Sequence, residues 1–250
     1  MRDAIEEKQR IEIAYWRDSI DESPNSDSVV TVVNKMTEAA IFLDCMKMYH
    51  AEVSPAGRVV ELGCGQGWAS CIYKKMFPEA DVTATDLSGF AVASISKWEA
   101  IFGIRVNRSY ACKSYETEED DASVDLIFCF ASAHHFLAHR RTVREISRIL
   151  KPGGKAIYFY EPTSPIYLYS LAHKRVNRKR PEVPEDVLIV SELHKLSKLE
   201  NLDLRIDYYP SLIHRGPLET IYYYFLSKIP FLQKMVPCTA NFIFTKPPSC

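Results

Sequence analysis

Two neighbouring histidines are the first candidates for chemistry in this chain. His134 and His135 lie in the stretch ASAHHF, directly after the apolar run VDLIFCF. Histidine titrates near neutral pH, so either side chain could take a proton from a substrate hydroxyl, or could simply pack in its loop. Glu161, in YFYEPTSP, follows the next apolar run. Its carboxylate could bind a substrate hydroxyl or amine, or could cap the following segment.

Three glycines at alternate positions mark a second candidate site. Gly63, Gly65 and Gly67 follow the apolar run RVVEL and precede a helical pattern, which places a ligand site at the carboxyl edge of a parallel sheet. Glycine lets a ligand approach the main chain, and a tight structural turn is the weaker interpretation of three alternate glycines. The spacing differs from the dinucleotide fingerprint G-x-G-x-x-G, because Trp68 stands at the position of its last glycine.

Two carboxylates accompany the glycines. Glu61 stands at the end of the strand before Gly63, where it suits a positively charged ligand and opposes a pyrophosphate. Asp86 ends the next predicted strand, 21 positions beyond Gly65, where a carboxylate can accept two hydrogen bonds from a ribose diol. The combination indicates a ribonucleoside whose other end is cationic and unphosphorylated. S-adenosylmethionine fits this description.

At this point the chain resembles the class I methyltransferase family, over roughly residues 55–165. ELGCGQG looks like the cofactor loop of that family, and TATDLS like its ribose-binding strand end. VDLIFCFASAHHF looks like its fourth strand and the following loop, and ILKPGGKAIYFYEP like its fifth-strand hairpin. The resemblance implies that the cofactor is S-adenosylmethionine, that its product is S-adenosylhomocysteine, and that a methyl group passes in line to an acceptor.

The resemblance also implies cofactor-binding roles. The loop residues expected around the methionine part are Glu61, Gly63, Cys64, Gly65 and Gly67. Asp86 should hold the ribose hydroxyls, and Leu87 should lie against the adenine. Phe130 and Ala131, at the end of the fourth strand, should face the methionine chain or the reactive methyl group.

The chain departs from family patterns in its later loops. Relatives often carry an acidic residue before LPF that contacts the adenine amino group, but the matching stretch here is ACKSYETEEDD, so Cys112, Lys113 or Ser114 could take that position. The loops ASAHH and EPTSP lack the clustered Asp and Asn ligands of a metal-dependent catechol-type mechanism, so we expect no metal. The fourth strand also lacks the N-P-P-aromatic motif of many adenine methyltransferases, which makes a nucleic-acid base a less favoured acceptor.

Substrate contacts are expected from the flanks of the core. Tyr15 and Trp16 in the N-terminal segment could touch a bound cofactor or acceptor, or could pack that segment on the core. The basic stretch HKRVNRKR, residues 173–180, contains Arg178 and could hold a phosphate or an anionic membrane surface, or could be a solvated face. His214 and Arg215 precede the aromatic-rich segment IYYYFLSKIPFLQKM and could reach the acceptor.

Alternating elements would bring these residues together. Strands are predicted at 58–62, 81–87, 104–110, 124–130, 155–160, 203–209 and 239–246. Helices are predicted at 2–20, 28–50, 66–77, 88–103, 140–154 and 190–202. This order predicts an α/β fold with a Rossmann-like, doubly wound, mostly parallel sheet of seven strands whose final strand is antiparallel. We expect one domain over residues 1–250: an N-terminal helical lid (1–54), a cofactor-binding core (55–165) and a substrate-side part (166–250) with a helical insertion before the last strand.

Length and composition agree with a cytoplasmic enzyme. The 250 residues include 47% hydrophobic residues and carry a formal net charge of -1, which allows a well-filled core and gives no support for bulk nucleic-acid binding. No apolar run approaches the roughly 20 residues of a membrane span, and MRDAIEEKQR lacks the apolar core of a secretory signal. The seven cysteines form no CxxC pair, so reduced thiols are the simplest interpretation.

These observations favour an S-adenosylmethionine-dependent methyltransferase that acts on a small molecule. A hydroxyl is the preferred acceptor, on a sugar, a lipid-linked intermediate or a secondary metabolite, with His134 or His135 as a general base. The alternatives are an N-methyltransferase, an RNA-modifying enzyme and a module that binds the cofactor without turnover. An anionic or lipid-linked substrate, a location at the membrane periphery and a homodimer remain open.

Overall fold

The computed structural model describes residues 2–24, 26, 28–54, 56–179, 185–213 and 215–248. The helices are α1 (Arg2–Asp18), α2 (Val29–Met48), α3 (His50–Val53), α4 (Trp68–Met76), α5 (Gly89–Ala93), α6 (Ile95–Phe102), α7 (His139–Ile149), α8 (Tyr169–Lys179), α9 (Val190–Leu199), α10 (Pro217–Lys228) and α11 (Pro230–Gln233). The strands are β1 (Arg58–Leu62), β2 (Asp81–Asp86), β3 (Arg108–Ala111), β4 (Val124–Phe130), β5 (Leu150–Ser164), β6 (Leu188–Ile189), β7 (Asp203–Tyr208) and β8 (Cys238–Thr245).

The strands form one mixed sheet in the order β3-β2-β1-β4-β5-β8-β7, with β6 beside the end of β5. The pairs within β3-β2-β1-β4-β5 are parallel, whereas β8 runs antiparallel to both β5 and β7. β2 and β3 lie on one side of β1, and β4 and the later strands lie on its other side. The order therefore reverses between β1 and β4, and a crevice at the carboxyl ends of these strands is the expected ligand site.

Apolar strands between two helical layers build the core. All but the first residue of β1 are buried, as expected for a parallel strand that is covered on both faces. One apolar cluster includes Phe42 of α2 and Trp68 of α4, and a second on the opposite face includes Ile146 of α7 and Leu193 of α9. Helices on both faces hold the sheet rigidly, so the residues at its carboxyl edge have fixed positions.

The predicted fold class is confirmed, with local differences. The helix predicted at 88–103 is interrupted at Ser94 and forms α5 and α6. The helix predicted at 140–154 ends at Ile149, because the Pro-Gly-Gly turn that follows already belongs to β5. β6, which has only two residues, was not predicted, and it brings the strand number to eight. The division into a lid, a core and a substrate-side part stays a prediction.

The N-terminal helices lie at the same edge of the sheet as the glycine loop. Gln66 in that loop donates from Nε2 to the Glu22 carboxylate (2.9 Å) and accepts from the Trp98 indole (3.1 Å). These bonds link the segment after α1 to the loop and to α6. Among the described residues, no helix combines the length and the hydropathy that crossing a membrane requires.

Candidate active site

A cavity of about 820 Å³ lies at the carboxyl edge of the sheet, over the ends of β1, β2, β4 and β5. Helices α1 and α2 contribute to one wall, and α8 and α10 to another. The cavity therefore continues from the topological switch point between β1 and β4 into the C-terminal third of the chain. Such a volume accommodates a nucleoside cofactor together with a second molecule.

The glycine loop after β1 is held in a left-handed conformation that other residues rarely adopt. Gly63, Gly65 and Gly67 have φ values of 69°, 51° and 80°. A Cβ atom on Gly67 would lie 2.5 Å from the Ile95 side chain, so this glycine permits close packing of the loop against α6. A Cβ on Gly65 would meet the Trp16 ring at 3.2 Å. α1 therefore covers the loop closely.

Asp86 at the end of β2 fixes the loop to the neighbouring strand. One carboxylate oxygen accepts from the Gly65 N–H (2.8 Å), and the other accepts from the Ser88 N–H (2.9 Å). Burial raises the pKa of Asp86 to about 6, while these backbone donors act in the opposite direction. At neutral pH this carboxylate is therefore ionised at the cavity wall, with lone pairs still available for further donors.

Two more carboxyl groups surround Asp86. Burial raises the pKa of Glu12, on α1, to about 8, and the nearby charge of Asp86 adds to this shift. Burial also raises the pKa of Glu61 to about 8, although the Ser70 hydroxyl donates to its carboxylate. Because the charge of Asp86 disfavours the ionised forms of Glu12 and Glu61, a cationic ligand at this end would stabilise those forms.

Unusual backbone conformations occur directly after β4, at Ala131, and within β5, at Tyr160. Ala131 (φ 47°) and Tyr160 (φ 57°) are non-glycine residues in the left-handed region, and both line the cavity. The Tyr160 N–H donates to the Asn241 side chain (2.8 Å), which is fully buried on β8. Backbone strain of this kind persists only where surrounding contacts enforce it, and it concentrates at functional sites.

Glu161 orients the loop that carries the two histidines. This fully buried carboxylate accepts from the backbone N–H groups of Ser132 (2.9 Å), Ala133 (2.8 Å) and His134 (3.2 Å). The His134 Nδ1 lies 2.8 Å from the Glu161 oxygen that also receives the His134 backbone N–H. Since the carboxylate accepts, Nδ1 carries the proton, and Nε2 is the basic ring nitrogen.

Comparison with known proteins places this geometry in a family. Residues 60–158 match the model of a methyltransferase domain. The malonyl-[acyl-carrier protein] O-methyltransferase of Priestia megaterium is 27% identical, over 62% of this chain and 61% of that protein. The ribosomal RNA small subunit methyltransferase C of Hahella chejuensis is 30% identical, over 39% of this chain and 29% of that protein. These matches together support a class I S-adenosylmethionine-dependent methyltransferase.

A solved structure extends the likeness of the fold. The geranyl diphosphate C-methyltransferase of Streptomyces coelicolor A3(2), in complex with Mg²⁺, geranyl diphosphate and S-adenosyl-L-homocysteine, aligns over 96% of this chain and 98% of that chain, with a TM-score of 0.70 and 14% identity. The chain spans less than two thirds of the two curated relatives above. The names of the three proteins specify O-, RNA- and C-methylation, so similarity to them leaves the acceptor open.

Most of the predicted residues line the cavity. The lining residues that were predicted to bind the cofactor are Gly63, Cys64, Gly65, Asp86, Leu87, Lys113, Ser114, Phe130 and Ala131. The lining residues that were predicted to contact the substrate or to be catalytic are Tyr15, Trp16, His134 and His135. The donor set fits S-adenosylmethionine, because one end of the cavity combines a buried carboxylate, which can accept from ribose hydroxyls, with bare glycine main chain.

Other predicted residues lie elsewhere. Glu61, Gly67 and Glu161 are beneath the cavity wall rather than in it. The prediction that Glu161 binds substrate is not supported, because its carboxylate is enclosed by the donors of the histidine loop. Arg178 is exposed on α8 outside the cavity lining, and His214 lies outside the described residues.

One group could hold a metal ion within the described part of the chain. His134, His135 and Glu185 offer one ligand atom each, and these atoms lie within 4.8 Å of one another. Histidine–metal bonds are about 2.0–2.1 Å long, so the three side chains would have to move closer to share an ion. The expectation of a metal-independent enzyme stays a prediction, and these residues are the place where it would fail.

Sequence reasoning did not assign roles to several residues of the cavity wall. Glu12 and Tyr160 line it, as do Glu185 and Tyr223. Tyr160 is the last residue of the predicted apolar strand at 155–160, and this position at a strand end is the sequence feature that could have marked it. Glu185 and Tyr223 come from separate parts of the C-terminal third, and no local pattern marks them.

Proposed function

We propose that this chain is an S-adenosylmethionine-dependent methyltransferase that methylates an oxygen atom of a small molecule with an apolar part. The observation that carries the proposal is the continuous cavity from Asp86, past His134, to an apolar end formed by α8 and the start of β8. Residues of that apolar end include Leu168, Ala172, Val176, Val187, Val236 and Pro237. Such a wall favours a lipid or polyketide over a free sugar.

Cofactor binding is assigned to the cavity end beside β1 and β2. S-adenosylmethionine, when bound, supplies a methyl group on a cationic sulfur. Asp86 would accept hydrogen bonds from the ribose hydroxyls. Leu87 would cover the adenine ring, and Lys113 and Ser114 would lie at the edge of that ring. The bare main chain at Gly65 would leave room for the amino-acid tail, while the three carboxyl groups at this end favour its cationic groups.

His134 is the residue that we propose as the general base. Its Nδ1–H bond to Glu161 leaves Nε2 as the proton acceptor, and its ring lies at the cavity wall. A positioned base of this kind typically contributes about 10²–10⁴ in rate for a hydroxyl acceptor. His135, whose ring centroid lies 4.2 Å from that of His134, is the alternative base.

A location at the membrane periphery is supported by the surface around α8, α10 and α11. Tyr167, Leu171, Leu218, Phe225 and Phe231 expose between 54% and 83% of their area there. The Tyr167 hydroxyl donates to the Met235 carbonyl (2.5 Å), and Arg175 pairs with Glu219 (3.0 Å), so the three helices form one surface. Exposed basic residues on it are Lys174, Arg178, Lys228 and Lys234. We propose an anionic lipid surface as the partner of this face.

Methyl transfer from labelled cofactor tests the function. Purified protein with methyl-labelled S-adenosylmethionine should label an extractable small molecule from a panel of fatty acids, fatty alcohols, isoprenoid alcohols and glycolipids. The label should be on oxygen, and activity should survive treatment with a chelator. Transfer to nitrogen, or to RNA in a salt-sensitive manner, would favour the alternative acceptors instead. Tight binding of S-adenosylhomocysteine without any transfer would favour a non-catalytic module.

A further inference from the structure

Four Lys and Arg side chains among the described residues line the cavity, and Arg215 differs from the others. Lys35 pairs with Glu22 and Glu38, Lys113 with Glu116, and Arg175 with Glu219. Arg215 forms no ion pair within the part of the chain that the structure describes. Arg215 is half-buried and lines the cavity without a carboxylate partner, so a ligand of opposite charge could pair with its guanidinium.

Aromatic side chains hold Arg215 in one orientation. Its guanidinium carbon lies 3.6 Å from the centroid of the Tyr223 ring, a stacking distance. Nη2 donates to the Tyr160 hydroxyl (2.9 Å), and Nε donates to the Ser211 carbonyl (3.2 Å). Nη1 has no hydrogen-bond partner among the described residues, so part of the planar donor set remains for a ligand. A fixed arginine loses little entropy when it binds.

Tyr160, which supports Arg215, is itself held firmly. Its left-handed backbone is fixed by Asn241, and its ring stacks on Phe130 with 5.8 Å between centroids and 15° between planes. The acceptor end of the cavity therefore contains a cation that is supported from two sides. Two carboxylates that line the cavity, Glu38 and Glu219, already have basic partners.

We propose that Arg215 binds a carboxylate or phosphate group of the acceptor, which makes the acceptor an amphipathic anion. This inference rests on the proposed function for its link to catalysis, but the binding site itself can be tested without turnover. The apolar wall between α8 and β8 would hold the hydrocarbon part, and the guanidinium would fix the charged end. The malonyl and geranyl diphosphate groups in the names of two similar proteins carry anionic groups of these two kinds.

Calorimetry with soluble eight-carbon probes tests the site in protein saturated with S-adenosylhomocysteine. Octanoate represents the carboxylates, octyl phosphate represents the phosphates, and 1-octanol is the uncharged probe of the same chain length. At least one anion should bind about 10- to 100-fold more tightly than octanol, the range expected for hydrogen bonds to a charged group. The better of the two anions then identifies the charged group.

Variants assign the effect to Arg215. R215Q should lose the preference for the anion, R215K should keep part of it, and Y160F should reduce it by loosening the guanidinium. R144Q removes an exposed arginine of α7 outside the cavity and should keep the full preference. Affinity for S-adenosylhomocysteine, measured on each variant, should stay within about twofold of the parent and reports that the fold is intact.

Three results would overturn the proposal: octanol binding as tightly as both anions, R215Q retaining the preference, or R178Q abolishing it and so moving the anion to the basic stretch. Absence of measurable binding by either anion would also count against it. Because these experiments read binding alone, an anion preference without methyl transfer would leave the site intact and reject the proposed function. Methyl transfer to an uncharged acceptor, at a rate that R215Q does not change, would support the proposed function and reject the anion site.

Discussion

Replacing Glu161 by glutamine should separate the structural and catalytic roles of this buried carboxylate. In E161Q, the amide oxygen can still accept from the Ser132 and Ala133 N–H groups. The amide nitrogen replaces the oxygen that receives two donors from His134, its backbone N–H and its Nδ1–H. An NH₂ group cannot accept either one. The imidazole can relieve one conflict by moving its proton from Nδ1 to Nε2.

The expected magnitudes follow from this count. After the tautomer changes, one buried N–H remains without an acceptor, which should lower the free energy of unfolding by about 1–3 kcal/mol. Nε2 then carries a proton and can no longer remove one from an acceptor hydroxyl, so kcat should fall by about 10²–10⁴. Affinity for S-adenosylhomocysteine should change little, because Glu161 lies outside the cavity wall.

The assay combines three measurements on the parent and E161Q: urea denaturation, the dependence of kcat on pH, and the ¹⁵N spectrum of the His134 ring. The spectrum should report a proton on Nδ1 in the parent and on Nε2 in the variant. E145Q is a matched control, because Glu145 of α7 is also a buried carboxylate, with Thr117 and Arg148 as donors, but lies outside the cavity. It should lose stability and keep its kcat.

Two results would refute this reasoning. If E161Q were destabilised while kcat and its pH profile stayed those of the parent, Glu161 would only organise the loop, and His134 would not be the base. If E145Q lost as much activity as E161Q, the loss would come from general loosening of the fold. Replacement of His134 by glutamine separates the cases further, since it should lower kcat while Glu161 still organises the loop through the Ser132 and Ala133 N–H groups.

Three further predictions concern the cofactor end, the loop and the surface. The pKa of Asp86 is raised to about 6, and the proposed ribose contact needs its ionised form. The affinity for S-adenosylhomocysteine should therefore fall as the pH drops below 6, by up to about tenfold per pH unit. D86N should remove this pH dependence in calorimetric titrations. In urea denaturation, G67A should lower the free energy of unfolding by about 2–4 kcal/mol, because it adds a clash with Ile95 to the cost of a left-handed alanine. G103A, at φ 62° with nothing within 4 Å, should lower it by only about 1–2 kcal/mol. Equal losses for the two variants would mean that the glycine loop shifts to relieve the clash. The double variant L218S/F231S should bind vesicles of phosphatidylcholine and phosphatidylglycerol about tenfold more weakly than the parent in co-sedimentation. I101S, at an exposed apolar residue of α6, should bind like the parent, and vesicle binding unaffected by the double variant would reject the lipid face.

Local patterns in the sequence correctly placed the glycine loop beside Asp86, while the binding of a cofactor by these residues stays a prediction. The alternate glycines and Asp86 occupy neighbouring strand ends, and the parallel pairing of β1 with β2 brings them together in the way that the alternation of strands and helices implies. The prediction succeeded because each residue stands at the end of a strand whose neighbours follow a simple topological rule. The sequence could not show that Gly67 packs against Ile95, since α6 begins 28 positions later.

The acceptor end was predicted less completely because it combines distant segments. Arg215, Tyr160 and Tyr223 come from a loop, a strand end and a helix, and no spacing rule connects them. The prediction for Glu161 placed the residue at the right edge of the sheet but gave its carboxylate the wrong partners. The pairing of Phe130 with Phe159 brings the loop after β4 over the end of β5, and this register cannot be derived from either strand alone.

A single backbone bend at Tyr160 connects the two chemical halves of the proposed site. The pairing of β5 with β8 is irregular between Tyr158 and Glu161, and the left-handed residue lies within this irregularity. Its side chain supports Arg215, while the next residue, Glu161, turns inward to His134. A left-handed tyrosine costs about 1–2 kcal/mol, which the Asn241 bond to its N–H offsets in part. Because consecutive residues position the anion-binding group and the base, a change that straightens this bend must impair acceptor binding and proton transfer together.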